Sequence, residues 1–205
     1  MIDHRLSRTN LVTLVIVLGL PAAAAEARKA WDFTAEKIDA TPKGFTAAAG
    51  NWQVVNEGPN KVLAQRAKSE DDVFNVVLID GTSFKDLDLS VRFKPVEGDL
   101  DRGGGLVWRA KDAKNYYVAR FNPLENNFRV YKVVNGVRTM FRSADLTLPT
   151  GWHVLRVTMS GLLMRCIIDD ETYLEVEDGT FADAGQVGLW TKADARTFFD
   201  DLTVQ

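Results

Sequence analysis

From Trp52 to Val204 the chain is a succession of short β-branched and aromatic runs cut apart by turn residues, and this punctuation limits it to an all-β fold. Trp52 to Val55 ends at Glu57-Gly58-Pro59-Asn60, and Lys61 to Gln65 follows. Phe74 to Ile79 stops at Asp80-Gly81. The segment Leu87-Asp88-Leu89-Ser90-Val91-Arg92-Phe93 alternates strictly, which puts its four apolar residues on one strand face and Asp88, Ser90 and Arg92 on the other. Further strands are expected over Leu106–Ala110, Tyr116–Phe121, Phe128–Val133, Val137–Phe141, Trp152–Met159, Leu163–Ile168, Tyr173–Val176, Gly185–Trp190 and Phe198–Val204. Asn135-Gly136 is a strong hairpin signal and Ser160-Gly161 a second one. No stretch of three turns carries a capped apolar stripe, so helices are not expected. Two packed sheets need only one apolar face per strand, and the alternation therefore predicts a two-sheet antiparallel sandwich.

The first residues have a different character. Arg5 and Arg8 precede the apolar run Leu11 to Leu20, Pro21 breaks it, and Ala22-Ala23-Ala24-Ala25-Glu26-Ala27 follows. A basic start, a short apolar segment and a small-residue cleavage site make up a secretory signal peptide, here residues 1–27, with cleavage after Ala25 or Ala27. The apolar run is too short to span roughly 30 Å of hydrocarbon, so no membrane insertion is expected after cleavage. Residues 28–205 remain, expected as one domain in the periplasm or outside the cell, and no linker or low-complexity block interrupts them.

Composition then removes whole classes of chemistry. The formal charge is −3, with 25 basic and 28 acidic residues interspersed, which leaves no electrostatic footprint for nucleic acid. His153 is the one histidine after the leader, so a histidine-rich metal site is ruled out and only this residue could serve a Ser-His-Asp arrangement, for which no Gly-x-Ser-x-Gly elbow exists. Cys166 is the one cysteine; lying between Met164 and Ile168, it is expected to be a buried, inert thiol. Gly103-Gly104-Gly105 lacks the Lys-Ser/Thr of a phosphate loop and is expected to permit a tight turn or a positive φ.

A resemblance rests on the series Gly103-Gly104-Gly105-Leu106-Val107-Trp108-Arg109, Asn115-Tyr116-Tyr117, Ala119-Arg120-Phe121-Asn122 and Tyr131-Lys132-Val133, with Gly188 to Ala195 and Phe199-Asp200-Asp201-Leu202 later in the chain. Together these resemble bacterial members of the concanavalin A-like lectin/glucanase superfamily, among them exported laminin-G-like and 3-keto-disaccharide hydrolase-like domains. The likeness runs from about Trp31 to Val204 and implies a jelly-roll sandwich with a concave sheet on which sugars often bind. The glucanases of the superfamily carry a Glu-x-Asp-x-Glu or Glu-x-Asp-x-x-Glu strand motif, and Glu175-Val176-Glu177-Asp178-Gly179 departs from it. Glu175 and Glu177 fit a solvated strand face better.

The candidate binding residues follow from alternation. Tyr116, Val118 and Arg120 share one face, opposite Tyr117, Ala119 and Phe121, and Arg129, Tyr131 and Val133 share one, opposite Phe128, Val130 and Lys132. Arg109, Tyr116, Arg120, Asn122, Lys132 and Trp190 could supply hydroxyl-binding donors and an aromatic stacking surface to a glycan or other saccharide. Trp190 could equally be a core plug beside Gly188, with Trp108, Tyr117 and Phe121 in the core. No cofactor is expected, apart from a possible structural Ca²⁺ on Asp200 or Asp201, with Asp99 and Asp101 as further oxygen donors. The expected function is an exported, monomeric, lectin-like glycan-binding module. The alternatives are a hydrolase of a disaccharide or glycan, of the 3-keto-glycoside type, and an envelope domain that contacts another protein.

Overall fold

The computed structural model describes residues 28–205, and every regular element in it is a β-strand. The leader expected over residues 1–27 lies outside the described residues. In chain order the strands are β1 (Lys29–Trp31), β2 (Phe45–Ala49), β3 (Trp52–Glu57), β4 (Asn60–Gln65) and β5 (Phe74–Ile79). Then come β6 (Leu87–Glu97), β7 (Gly104–Asp112), β8 (Asn115–Asn122), β9 (Asn127–Val134) and β10 (Val137–Asp145). The last five are β11 (His153–Ser160), β12 (Leu163–Ile168), β13 (Glu171–Glu177), β14 (Gln186–Lys192) and β15 (Arg196–Val204).

They form two antiparallel sheets. The eight-stranded sheet runs β13-β12-β11-β6-β15-β4-β3, with β1 paired to the end of β15. The seven-stranded sheet runs β10-β9-β8-β7-β14-β5-β2. The chain passes from one sheet to the other at β4–β5–β6–β7 and again at β13–β14–β15, so sequence neighbours there face each other across the core. This is the expected jelly-roll sandwich.

Alternation decides which residues fill the space between the sheets. Leu87, Leu89, Val91 and Phe93 of β6 and Leu155, Val157 and Met159 of β11 point inward from the larger sheet. Leu106 and Trp108 of β7, Tyr117, Ala119 and Phe121 of β8, and Val187 and Leu189 of β14 meet them from the smaller one. Each large side chain removed from water contributes about 1.5–3 kcal/mol, so this layer supplies the main driving force for folding. Cys166 lies within it, fully buried.

The three consecutive glycines act differently from the expectation of a tight turn or positive φ, since none of them has a positive φ. They are sites of close approach. A Cβ on Gly103 would fall 2.6 Å from the Phe121 carbonyl oxygen, one on Gly104 2.6 Å from Thr197 Cγ2, and one on Gly105 2.3 Å from the Ala119 carbonyl oxygen. At the Asn135-Gly136 hairpin, by contrast, both residues do have positive φ, 52° and 84°, as a type I′ turn requires.

Because burial pushes the Cys166 thiol well above its ordinary pKa and encloses it, a thiol reagent should modify this residue no faster than the protein unfolds. Labelling with an aromatic disulfide in native buffer and in denaturant checks this: rapid native labelling would show the core to be open.

Candidate functional site

The smaller sheet buries its second face as well, which is unusual for an antiparallel sheet with no layer packed on it. Val76, Leu78, Val107, Val118 and Val133 form an aliphatic floor there, beneath the rings of Phe74, Tyr116, Tyr131 and Trp190. Register sets these residues beside one another. One cross-strand row runs Val76–Trp190–Gly105–Arg120–Arg129–Ser143 through β5, β14, β7, β8, β9 and β10. Gly105, between Trp190 and Arg120 in this row, is closely packed: a Cβ there would lie 2.3 Å from the Ala119 carbonyl oxygen and 2.9 Å from Arg120 Cβ.

The sheet is strongly curved. Arg138 sits on the edge strand β10, yet its guanidinium carbon is 5.7 Å from the ring centre of Trp190 on β14 and 5.0 Å from that of Phe74 on β5. On a flat sheet those strands would lie about 19 Å and 24 Å away at ~4.8 Å per strand, beyond the reach of these side chains. The contact therefore requires β10 and β5 to curl toward each other, making this face concave. Tyr131 lies between two cations, with Arg138 at 4.5 Å and Arg120 at 5.8 Å from its ring centre.

Arg120 is buried and held by side chains alone. It donates to Asn127 Oδ1 at 2.7 Å, to Glu125 Oε2 at 2.8 Å and to the Tyr131 hydroxyl at 3.2 Å. Glu125 also accepts from Arg129 at 2.9 Å and from Asn127 Nδ2 at 3.0 Å. Partial burial would push the Glu125 carboxyl up, but hydrogen bonds from Arg120 and Asn127 and the charges of Arg120 and Arg129 outweigh it and hold it at about 2.

Five buried polar atoms of this face have no hydrogen-bond partner: Tyr116 Oη, Arg120 Nε, Asn122 Nδ2, Arg138 Nη1 and Trp190 Nε1. The Trp190 indole N–H lies close to the Tyr116 hydroxyl, but the pair falls short of hydrogen-bond geometry. Burial raises the Tyr116 pKa, so the phenol stays protonated. The sixth such atom, Arg196 Nε, belongs to the other sheet. Buried polar groups ordinarily find partners, and a cluster of exceptions marks a place where an outside group can supply them.

Four of the six candidate binding residues, Tyr116, Arg120, Asn122 and Trp190, thus share the concave face, and all four are buried there at 1% exposure or less, so Trp190 is a packed plug of this outer layer and not an exposed platform. The other two lie elsewhere. Arg109 occupies a β-bulge with φ 46°, which takes it out of the strand alternation. It is buried, and donates to the carbonyls of Lys85 at 2.7 Å, Phe181 at 2.8 Å and Gly161 at 2.7 Å, clamping one end of the sandwich. Lys132 points to the opposite side of its sheet, donating to Thr180 Oγ1 at 2.9 Å and to Asp178 Oδ2 at 3.3 Å. Sequence reasoning missed Arg138 and Glu125 as members of the site.

The metal candidates are engaged in other contacts. Asp201 pairs with Arg92 at 3.1 Å, and the buried Asp200 accepts the Asp201 N–H at 2.9 Å. The backbone N–H groups of Asp99, Leu100 and Asp101 all donate to the Asp194 carboxylate, which closes their loop. Among the described residues, no group of three or more His, Cys, Asp or Glu side chains is placed to hold a metal ion. The Glu175 carboxylate is exposed and paired with Arg165 at 2.6 Å, as a solvated face would have it. A separate groove of about 610 Å³ on the larger sheet's side is lined by Trp31, Phe33, Arg92 and Asp201, among others.

No family model matches the chain, and no curated protein matches it. Solved structures do. The carbohydrate-binding module CBM66 from Bacillus subtilis superposes with a TM-score of 0.68 at 23% identity, covering 79% of this chain and 95% of that one. A family 16 endo-glucanase from Bacteroides ovatus gives 0.60 at 12% identity, over 86% of this chain and 98% of that one. A protein of unknown function with a galectin-like fold, also from Bacillus subtilis, gives 0.60 at 13% identity, over 80% and 89%. The fold is the concanavalin A-like jelly roll. At these identities the likeness concerns fold, and the chemistry of this chain must be argued from its own residues.

Two outcomes test this division of roles. Arg109→Ala leaves three carbonyls without their donor and should cost about 3 kcal/mol of stability, read from denaturant unfolding. Glu125, lowered from its ordinary 4.5 to about 2, contributes stability that is complete above pH 4.5 and is lost as pH falls toward 2. Glu125→Gln should accordingly flatten the acid limb of a stability–pH curve in that window, and an unchanged limb would show that the Arg120 network does not hold this carboxylate.

Proposed function

We propose that the protein is an exported, lectin-like module that binds a glycan on the concave face of its seven-stranded sheet. The observation that carries this reading is the set of five unpartnered polar atoms gathered around the rings of Tyr116, Tyr131 and Trp190. A sugar presents hydroxyl oxygens around its edge and an apolar C–H face, and this mixture of donors and rings suits both. The likeness to a carbohydrate-binding module supports the same assignment. The basic, apolar and small-residue order of residues 1–27 supports export to the periplasm or the medium.

A second reading, hydrolysis of a glycan, draws on a carboxyl pair beside the same network. Burial raises the Asp101 carboxyl, with a smaller contribution from the Glu125 charge, whereas at Glu125 burial is outweighed by hydrogen bonds from Arg120 and Asn127, which hold it low. An acid and a base with opposed shifts are what glycoside cleavage needs. Release of reducing ends by the protein, abolished in Asp101→Asn, would support it.

A glycan array with the purified protein tests the binding reading directly. Trp190→Phe, which keeps a ring but removes the indole N–H, should weaken any binding by about tenfold, the equivalent of one hydrogen bond. Trp31→Ala, in the groove of the other sheet, should leave it unchanged. Loss of binding in Trp31→Ala alone would move the site to that groove, and an array on which no saccharide binds would reject the glycan reading.

A further inference from the structure

We infer that the saccharide held on the concave face is an acidic one, carrying a carboxylate or a sulfate ester that is received by Arg138. The inference rests on the proposed glycan site and specifies its ligand class.

The first argument is the kind of atom left unpartnered. Arg120 Nε, Asn122 Nδ2, Arg138 Nη1 and Trp190 Nε1 can only donate, and the fifth, the Tyr116 hydroxyl, can donate as well. A neutral sugar brings hydroxyls that must themselves donate, and the carboxylate best placed to accept from them, Glu125, already takes hydrogen bonds from Arg120, Asn127 and Arg129. An anionic group brings acceptors alone, several on one centre, and so matches a surface of donors.

The second argument is charge. Arg120, Arg129, Arg138 and Lys192 surround this face. Arg120 and Arg129 share the single carboxylate of Glu125, and Lys192 pairs with Asp71 at 2.5 Å. Arg138 pairs with no carboxylate among the described residues, and its contacts are the ring faces of Phe74, Tyr131 and Trp190. Of those rings Trp190 and Tyr131 are buried, at 0% and 4% exposure, so a sugar could stack on them only once Arg138 moves aside. Arg138 reaches them from β10, an edge strand paired only with β9 and bearing the exposed Val137 and Met140. When Arg138 turns to meet an anion, its cation–π contacts are exchanged for a charge-assisted hydrogen bond and the ring faces open to the sugar. A neutral ligand offers nothing to draw the guanidinium away.

Titration calorimetry can separate the possibilities, using galacturonate oligosaccharides, their carboxyl-reduced neutral counterparts of identical backbone, and sulfated galactan oligosaccharides. The acidic forms should bind at least about tenfold more tightly than the reduced ones, with the preference falling at high salt. The carboxylate and sulfate arms identify which anion is read. Arg138→Gln should abolish the preference, and Arg138→Lys, which keeps the charge, should retain part of it; thermal unfolding of both variants confirms that they are folded. Equal or tighter binding of the neutral oligosaccharides would overturn the acidic-ligand inference and leave the glycan reading standing. No binding of any saccharide, acidic or neutral, would reject both.

Discussion

Three glycines in a row set the spacing on which both faces of the smaller sheet depend. Gly104 points inward, where a Cβ would strike Thr197 Cγ2 at 2.6 Å and Phe199 Cζ at 3.0 Å, so its bareness lets the two sheets approach at β15. At Gly105 a Cβ would meet the Ala119 carbonyl oxygen at 2.3 Å and Arg120 Cβ at 2.9 Å, so its bareness lets β8 and the Arg120 side chain pack close against β7. The same short segment therefore permits close packing on both faces of β7. A phosphate-binding loop uses glycine to expose its backbone N–H groups, whereas here glycine removes side chains from between two others.

Much of the fold was legible because a strand has a rigid period of two. Counting from Leu87 correctly separated the core side from the solvent side of β6, and counting from Tyr116 placed Arg120 on the face opposite Phe121. Two strands escaped this reading. β2 ends in Ala47-Ala48-Ala49, residues with little strand preference, and β1 is three residues long; neither offers a pattern to count. Counting also failed at Arg109, because the bulge there adds a residue and breaks the phase of β7. Asp169-Asp170 forms a turn with φ 48° and 65°, although its sequence lacks the glycine that makes Asn135-Gly136 so readable.

The site itself was only half legible, and the reason is range. Tyr116, Arg120 and Asn122 lie on one strand, where local alternation suffices. Arg138 enters by reaching over a curved sheet to rings on β14 and β5, and no local pattern encodes curvature of that kind. Glu125 sits in a turn, where its carboxylate is indistinguishable by sequence from any solvated one. What distinguishes it is the pair of arginines, one on β8 and one on β9, that register brings to the same oxygen.

Overall charge hid the most informative contrast, since it averages two unlike sheets. The larger sheet carries its cations in separate exposed pairs: Arg92 with Asp201, Arg156 with Asp88, Arg165 with Glu175, and Arg196 with Glu97. Pairs of that sort contribute little to stability. On the concave sheet Arg120 is instead withdrawn from water and shares the Glu125 carboxylate with the half-buried Arg129, while Arg138 lies against aromatic rings. Desolvation makes an unmet donor costly, so the same residue type that is nearly neutral in energy on one sheet carries a larger cost of unmet hydrogen bonds on the other. A balance of −3 for the whole chain is therefore compatible with a locally cationic site, and it is the local inventory of partners that determines what the surface will bind.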